Sequence, residues 1–345
     1  MTDRPPVARQ AGLLIVSFVA TLAILGGLLA VVSGRLPAPA GASPSPLPAA
    51  SAPAGVVLVP SPSPGPESSP SSPSNGPTAA TDPVLVGAGE IGECGPSGDE
   101  ETARLIDGIG GTVFTAGNNA YPHGTAGQYA MCYGTSWGRF EARTRPAVGN
   151  LDYQTDGALG YRGYFGPAAT NADGKTWYSY ALGAWHVVVL DSTCARIGGC
   201  ESASPEGQWL AADLAASKAH CTVAIWNQPR FSSGELGDDL EIDPFWQALY
   251  AVGADVVVNA HDHDFERFKP QTPAGVVDAA RGIREFVVGT GGTPLGTFGH
   301  IKPNSEIRAS VSQGVLKLTL HPAGYEWQFI STTGAFSDSG SAPCH

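Results

Sequence analysis

The chain has 345 residues, with 31 acidic against 19 basic side chains and a formal net charge of −12 at pH 7. Such an acidic balance repels nucleic acid and anionic lipid, so neither is expected as a partner. The length accommodates one large domain or two ordinary ones.

In chain order, the first feature is the run AGLLIVSFVATLAILGGLLAVV at 11–32, with no charge and only two hydroxyl side chains. At about 1.5 Å per helical residue it is long enough to span a bilayer core. It reads as a single N-terminal transmembrane helix, with residues 1–35 forming an uncleaved anchor. The alternative is a signal segment cleaved near Ala38-Pro39-Ala40, which gives a secreted protein. Residues 36–81 are Pro, Ser, Ala and Gly with one charge, Glu67, and no aromatic residue. That composition cannot bury enough apolar surface to offset the entropy of ordering, so a disordered linker is expected.

Every Trp and every Cys follows residue 82, which assigns the folded domain to 82–345. It holds 29 acidic and 16 basic side chains. The six cysteines, beyond an export signal and without a C-x-x-C pair, read as disulfides on the extracytoplasmic side. Cys194 with Cys200 is the local bridge; Cys94 with Cys132 and Cys221 with Cys344 follow by elimination.

Strands are expected at 83–89, 112–117, 177–183, 185–191, 222–227, 254–260, 284–290, 314–320 and 325–330, each an apolar, β-branched or alternating run. Helices are expected over Asp99 to Asp107, after the Ser204-Pro205 cap, and from Pro244. Apolar strands alternating with helices give an α/β class, and the amphipathic C-terminal strands give a more antiparallel section. The glycine-rich GTGGTPLG at 289–296 lacks the lysine and following helix of a phosphate loop and reads as a turn. Arg267 beside Glu266 reads as a structural ion pair.

Five strand ends deliver polar groups: Glu90-Ile91-Gly92, Asn118-Asn119-Ala120-Tyr121, Asn150-Leu151-Asp152-Tyr153, Asn227-Gln228-Pro229 and His261-Asp262-His263. The carboxyl edge of an open α/β sheet is where sites are built. Their order and spacing resemble the calcineurin-like metallophosphoesterases, and within them the purple-acid-phosphatase-like branch, whose motifs are D-x-G, G-D-x-x-Y, G-N-H-D/E, H-x-P and G-H-x-H. The resemblance covers about 85–330. It implies a four-layer αββα sandwich with two metals at the strand ends and a phosphorylated small molecule as ligand; no protein partner is named by it.

Carried over by position, the resemblance places Glu90, Asn118, Tyr121 and His263 around the first metal. Around the second it places Asn118, Asn150, Asn227 and His261. The family's catalytic histidine position holds Leu151, so no catalytic residue is assigned. Asn118 offers one neutral oxygen where the family has a bridging carboxylate, and Glu90 lengthens the first ligand by a methylene. The second set contains a single imidazole and no anion, a weak donor set for a divalent metal, and is expected to hold none. Glu90, Tyr121 and His263 are expected to hold one divalent or trivalent ion, Fe, Zn or Mn. A pseudo-phosphatase is therefore expected; the alternatives are a phosphoesterase with an altered or mononuclear centre and a non-catalytic envelope scaffold.

Overall fold

Short apolar strands ending in glycine dominate the computed structural model, which describes residues 82–345. The anchor expected at 1–35, with its membrane helix, and the linker expected at 36–81 lie outside the described residues. Among the described residues no helix is long and apolar enough to cross a membrane.

Three strands run parallel, β1 (Val84–Ala88), β2 (Thr112–Ala116) and β3 (Thr144–Ala147). Next come β4 (Tyr178–Leu182), β5 (Trp185–Val189), β6 (Cys221–Ile225), β7 (Val256–Asn259), β8 (Phe265–Phe268), β9 (Arg284–Val288) and β10 (Ser305–Ala309). The chain closes with β11 (Gly314–His321), β12 (Gly324–Ser331) and β13 (Ser337–Pro343), an antiparallel meander added to β1. The result is two sheets, ordered β13-β12-β11-β1-β2-β3 and β10-β8-β9-β7-β6-β5-β4.

Burial on both faces explains the continuous apolar runs of β6, β7 and β9. Val223, Ile225, Val258 and Phe286 point into the core between the sheets, where Leu85, Phe114, Leu316 and Phe329 meet them. Their neighbours Ala224, Val257 and Val287 point the other way, against Leu210, Phe245, Trp246 and Leu249. Those last four lie on the helices Pro205–Ala216 and Asp243–Val252. The first helix starts as its sequence dictates: the Ser204 hydroxyl accepts the Gly207 N–H at 3.0 Å and Pro205 occupies the first turn. The second ends on Gly253, whose φ of 74° terminates the helical hydrogen bonding.

All three disulfides pair as expected: Cys94–Cys132, Cys194–Cys200 and Cys221–Cys344. Cys221–Cys344 closes 123 residues of chain, a constraint of about 5 kcal/mol on the unfolded state in the loop-entropy account. It sits at the end of the domain where the described chain begins. There the Leu320 N–H donates to Pro83 O at 2.9 Å, the His321 ring meets Asp82 at 2.6 Å, and the Trp185 indole donates to His321 O at 2.7 Å.

The pairing of Arg267 differs from expectation. Its guanidinium bonds Asp338 and Glu306, while Glu266 accepts both the Ser233 hydroxyl and the Ser233 N–H. Adjacent strand residues face opposite sides of a sheet, so Arg267 and Glu266 cannot meet.

Candidate functional site

The carboxyl ends of β1, β2, β3, β6 and β7 converge between the two sheets, and each carries one of the expected polar residues. Glycine makes the approach close enough. A Cβ on Gly89 would lie 2.4 Å from that of Ala260, and one on Gly149 would lie 2.3 Å from both the backbone nitrogen and the Oδ1 of Asn118. Among the described residues four non-glycine positions have positive φ, and three of them are Glu90 (57°), Asn118 (51°) and His261 (66°). Left-handed backbone is costly for such side chains and collects where surrounding structure imposes it.

Glu90 is the centre, with no solvent exposure. Its Oε1 accepts three N–H groups: the side-chain amides of Asn118 at 3.2 Å and Asn227 at 3.0 Å, and the backbone of His261 at 2.8 Å. Its Oε2 accepts the Tyr121 hydroxyl. Neighbouring backbone fixes which way both amides face. Asn118 Oδ1 accepts the Leu151 N–H at 2.8 Å, and the Asn227 amide nitrogen donates to Ala116 O at 2.9 Å. Each amide therefore turns its NH₂ group, not its oxygen, toward Glu90. The Asn118 amide also donates to Asn150 Oδ1 at 2.9 Å.

His263 approaches from the open side. Its Nδ1 lies 2.8 Å from Pro294 O, which can only accept, so Nδ1 carries a proton and Nε2 points inward. Nε2 is 3.2 Å from the Tyr121 oxygen and 3.7 Å from Glu90 Oε2. Burial, and then the neighbouring Glu90 carboxylate, push the Tyr121 phenol far above its usual range, so it stays protonated. His261 Nδ1 and Asn227 Oδ1 are buried without partners among the described residues.

No protein-family model matches the chain, and no curated protein matches it in sequence. Solved structures do. Purple acid phosphatase PPD1 from yellow lupin (Lupinus luteus) seeds is similar at TM-score 0.63 and 18% identity, over 76% of this chain and 53% of that one. GAP50 of Plasmodium, described as the anchor in the inner membrane complex, is similar at TM-score 0.57 and 15% identity, over 77% and 90%. The chain has the calcineurin-like metallophosphoesterase fold. It spans about half the length (53%) of the lupin phosphatase.

On the metallophosphoesterase fold the two metal positions differ in fit. At the first, Glu90 Oε2, Tyr121 Oη and His263 Nε2 lie close together, an oxygen and nitrogen set of the kind that holds a cation. At the second, Asn118 and Asn227 present N–H groups, Asn150 Oδ1 already accepts a hydrogen bond, and only the His261 ring and one neutral amide oxygen are unengaged. That set does not fit a second metal. Leu151, expected from the sequence at a catalytic position, adds to the site only its backbone N–H. The remaining cluster with metal-like spacing among the described residues, Cys221, Asp255 and Cys344, has its sulfurs bonded to each other.

Asp152 braces the β3 end of this metallophosphoesterase fold. It is buried and accepts the Tyr129 hydroxyl at 2.6 Å, the Asn119 amide at 3.2 Å and the Gly149 N–H at 2.9 Å. Burial outweighs these donors and pushes its carboxyl up to about 6 from 3.8. A carboxyl raised in the folded state favours folding while protonated, so the contribution is whole below about pH 4 and lost as pH rises through about 6, some 3 kcal/mol in all. Asp152→Asn is expected to remove this component from urea unfolding curves measured between pH 4 and 7; an unchanged pH slope would exclude it.

Motif spacing found every residue that bonds the Glu90 carboxylate. It missed Thr293 and Pro294, which hold His263 from the loop after β9. The signal was present: GTGGTPLG is another strand end at the same carboxyl edge.

Proposed function

We propose that this chain is a pseudo-phosphatase on the four-layer metallophosphoesterase sandwich, in which hydrogen-bond donors have replaced the metals' positive charge around one carboxylate. The carrying observation is the orientation of Asn118 and Asn227, whose amide N–H groups converge with the His261 N–H on Glu90 Oε1. Three N–H dipoles stabilise a buried carboxylate much as a cation does, but they supply no Lewis acid and no activated water. With Leu151 unable to donate a proton to a leaving group, efficient hydrolysis loses its acid as well; a positioned acid typically contributes ~10² to 10⁴ in rate. A phosphorylated small molecule is the ligand class the fold supports, held without efficient turnover. The apolar run at 11–32 and three disulfides support a membrane-anchored, extracytoplasmic domain. The domain boundaries proposed are 1–35 for the anchor, 36–81 for the linker and 82–345 for the folded part.

The convergence of Glu90, Tyr121 and His263 favours a second reading, a single-metal centre with residual phosphoesterase activity. GAP50, an anchor on a similar fold, favours a third, a scaffold whose old site takes no ligand. Metal analysis of the purified full chain, paired with phosphomonoester hydrolysis across added Fe, Zn and Mn, separates them. The pseudo-phosphatase gives no turnover with any of the three metals and a phosphate-dependent thermal shift. Turnover abolished by His263→Ala establishes the second reading, and no response to either metal or phosphate establishes the third.

A further inference from the structure

Strand β4 ends the second sheet, and among the described residues no strand pairs with its outer side. It joins β5 through Gly183 and Ala184, with Leu182 opposite Trp185 and φ of 62° at Gly183. In a two-residue hairpin the pair flanking the turn is hydrogen-bonded, so Tyr178, Tyr180 and Leu182 direct their backbone groups to β5. Those of Ser179 and Ala181 point outward, and no other described residue bonds them.

A cleft of about 590 Å³ runs along this edge, bounded opposite by the 167–172 segment. Its two sides differ because alternate residues of β4 face opposite ways. On one side the Tyr180 ring, whose hydroxyl is buried without a partner among the described residues, has its centre 5.8 Å from the Arg145 guanidinium. Arg145 donates to Thr144 O and has no carboxylate partner among the described residues. On the other side the Ser179 hydroxyl donates to Asp213 at 2.6 Å, and Trp209 of the helix Pro205–Ala216 supplies an indole wall. Asp213 accepts the Ser179 hydroxyl and lies 3.0 Å from the His186 ring on the Trp209 side, while Arg145 is the charged group on the Tyr180 side.

We propose that this cleft binds an extended peptide that adds a strand to β4. Ser179 and Ala181 give and accept the main-chain bonds, as in other strand additions to a sheet edge. Side chains of the added strand alternate between the two sides. A carboxylate meets Arg145 over Tyr180, and an apolar side chain meets Trp209. The ligand class is therefore a peptide alternating acidic and apolar residues.

The test is panning of random heptapeptides displayed on phage against the immobilised full chain, with Ala181→Pro as the key variant. Proline at an edge position whose N–H faces away from the sheet preserves the strand and deletes one donor. Enriched peptides should alternate acidic and apolar residues, bind Ala181→Pro at least ~10-fold more weakly, and slow amide exchange at Ser179 and Ala181. Arg145→Glu should turn the selected peptides from acidic to basic. Glu90→Gln should bind like the parent chain, which separates this cleft from the strand-end site. No enrichment, equal binding by a folded Ala181→Pro, or unprotected Ser179 and Ala181 amides overturns the proposal. So does an oligosaccharide that displaces the selected peptides.

Discussion

Glu90→Ala is expected to destabilise the domain by about 4 kcal/mol, read as a fall in the urea midpoint with the slope unchanged. The substitution removes the acceptor for four donors at once: the Asn118 and Asn227 amides, the His261 backbone and the Tyr121 hydroxyl. Each donor left without a partner in a buried site costs on the order of 1 kcal/mol or more. The left-handed backbone at Glu90 and His261 gives no offset, because alanine keeps the Cβ. Glu90→Gln should fall between the two, since Gln keeps an acceptor oxygen but loses the charge that strengthens the bonds. A loss below about 1 kcal/mol for Glu90→Ala would mean that water satisfies these donors equally well.

The second large effect is conditional on metal. Asn118→Asp places a carboxylate oxygen where the amide now donates to Glu90 at 3.2 Å. Two buried carboxylates at that distance cannot both stay ionised, so one is forced to hold a proton. In chelator the variant should lose about 3 kcal/mol at neutral pH. The sign follows from the raised folded-state affinity for a proton: the deficit shrinks as pH falls and grows as pH rises. Combined with Leu151→His and Asn227→His, the same change brings the donor set closer to the metallophosphoesterase motifs that the sequence resembles. The triple variant should bind divalent metal, regain thermal stability on its addition and hydrolyse phosphomonoesters above the parent. If it takes up no metal and gains no activity, the positional correspondence of these residues is wrong.

Much of the fold was legible because burial on both faces writes itself as uninterrupted Val, Ile and Ala. β5, β6, β7 and β9 announce themselves in this way, and β11 and β12 do so by alternation. β13, SDSGSAP, was not legible: nothing in those seven residues favours a strand, and it exists because β12 offers an edge in register from Gly324 to Ile330. β8, FERF, was hidden by two charges whose partners, Ser233 on one side and Asp338 on the other, are far away in sequence. At the site, spacing identified which residues meet but not how they face. The polarity of Asn118 and Asn227 is set by the Leu151 N–H and the Ala116 carbonyl, and backbone groups leave no trace in a motif.

One consequence concerns presentation. Asp82 and Pro83 are held at the amino end of β1, against His321 and Leu320, while Glu90 lies at the carboxyl end of the same strand. At about 3.3 Å per residue the two are separated by roughly 20 Å of sheet. The domain is therefore polar in the geometric sense: the chain enters at one pole and the strand-end site opens at the other. Whatever residues 1–81 attach to, the site faces away from that point of entry. A ligand arriving at the far pole meets Tyr121 and His263 before it meets Asp82.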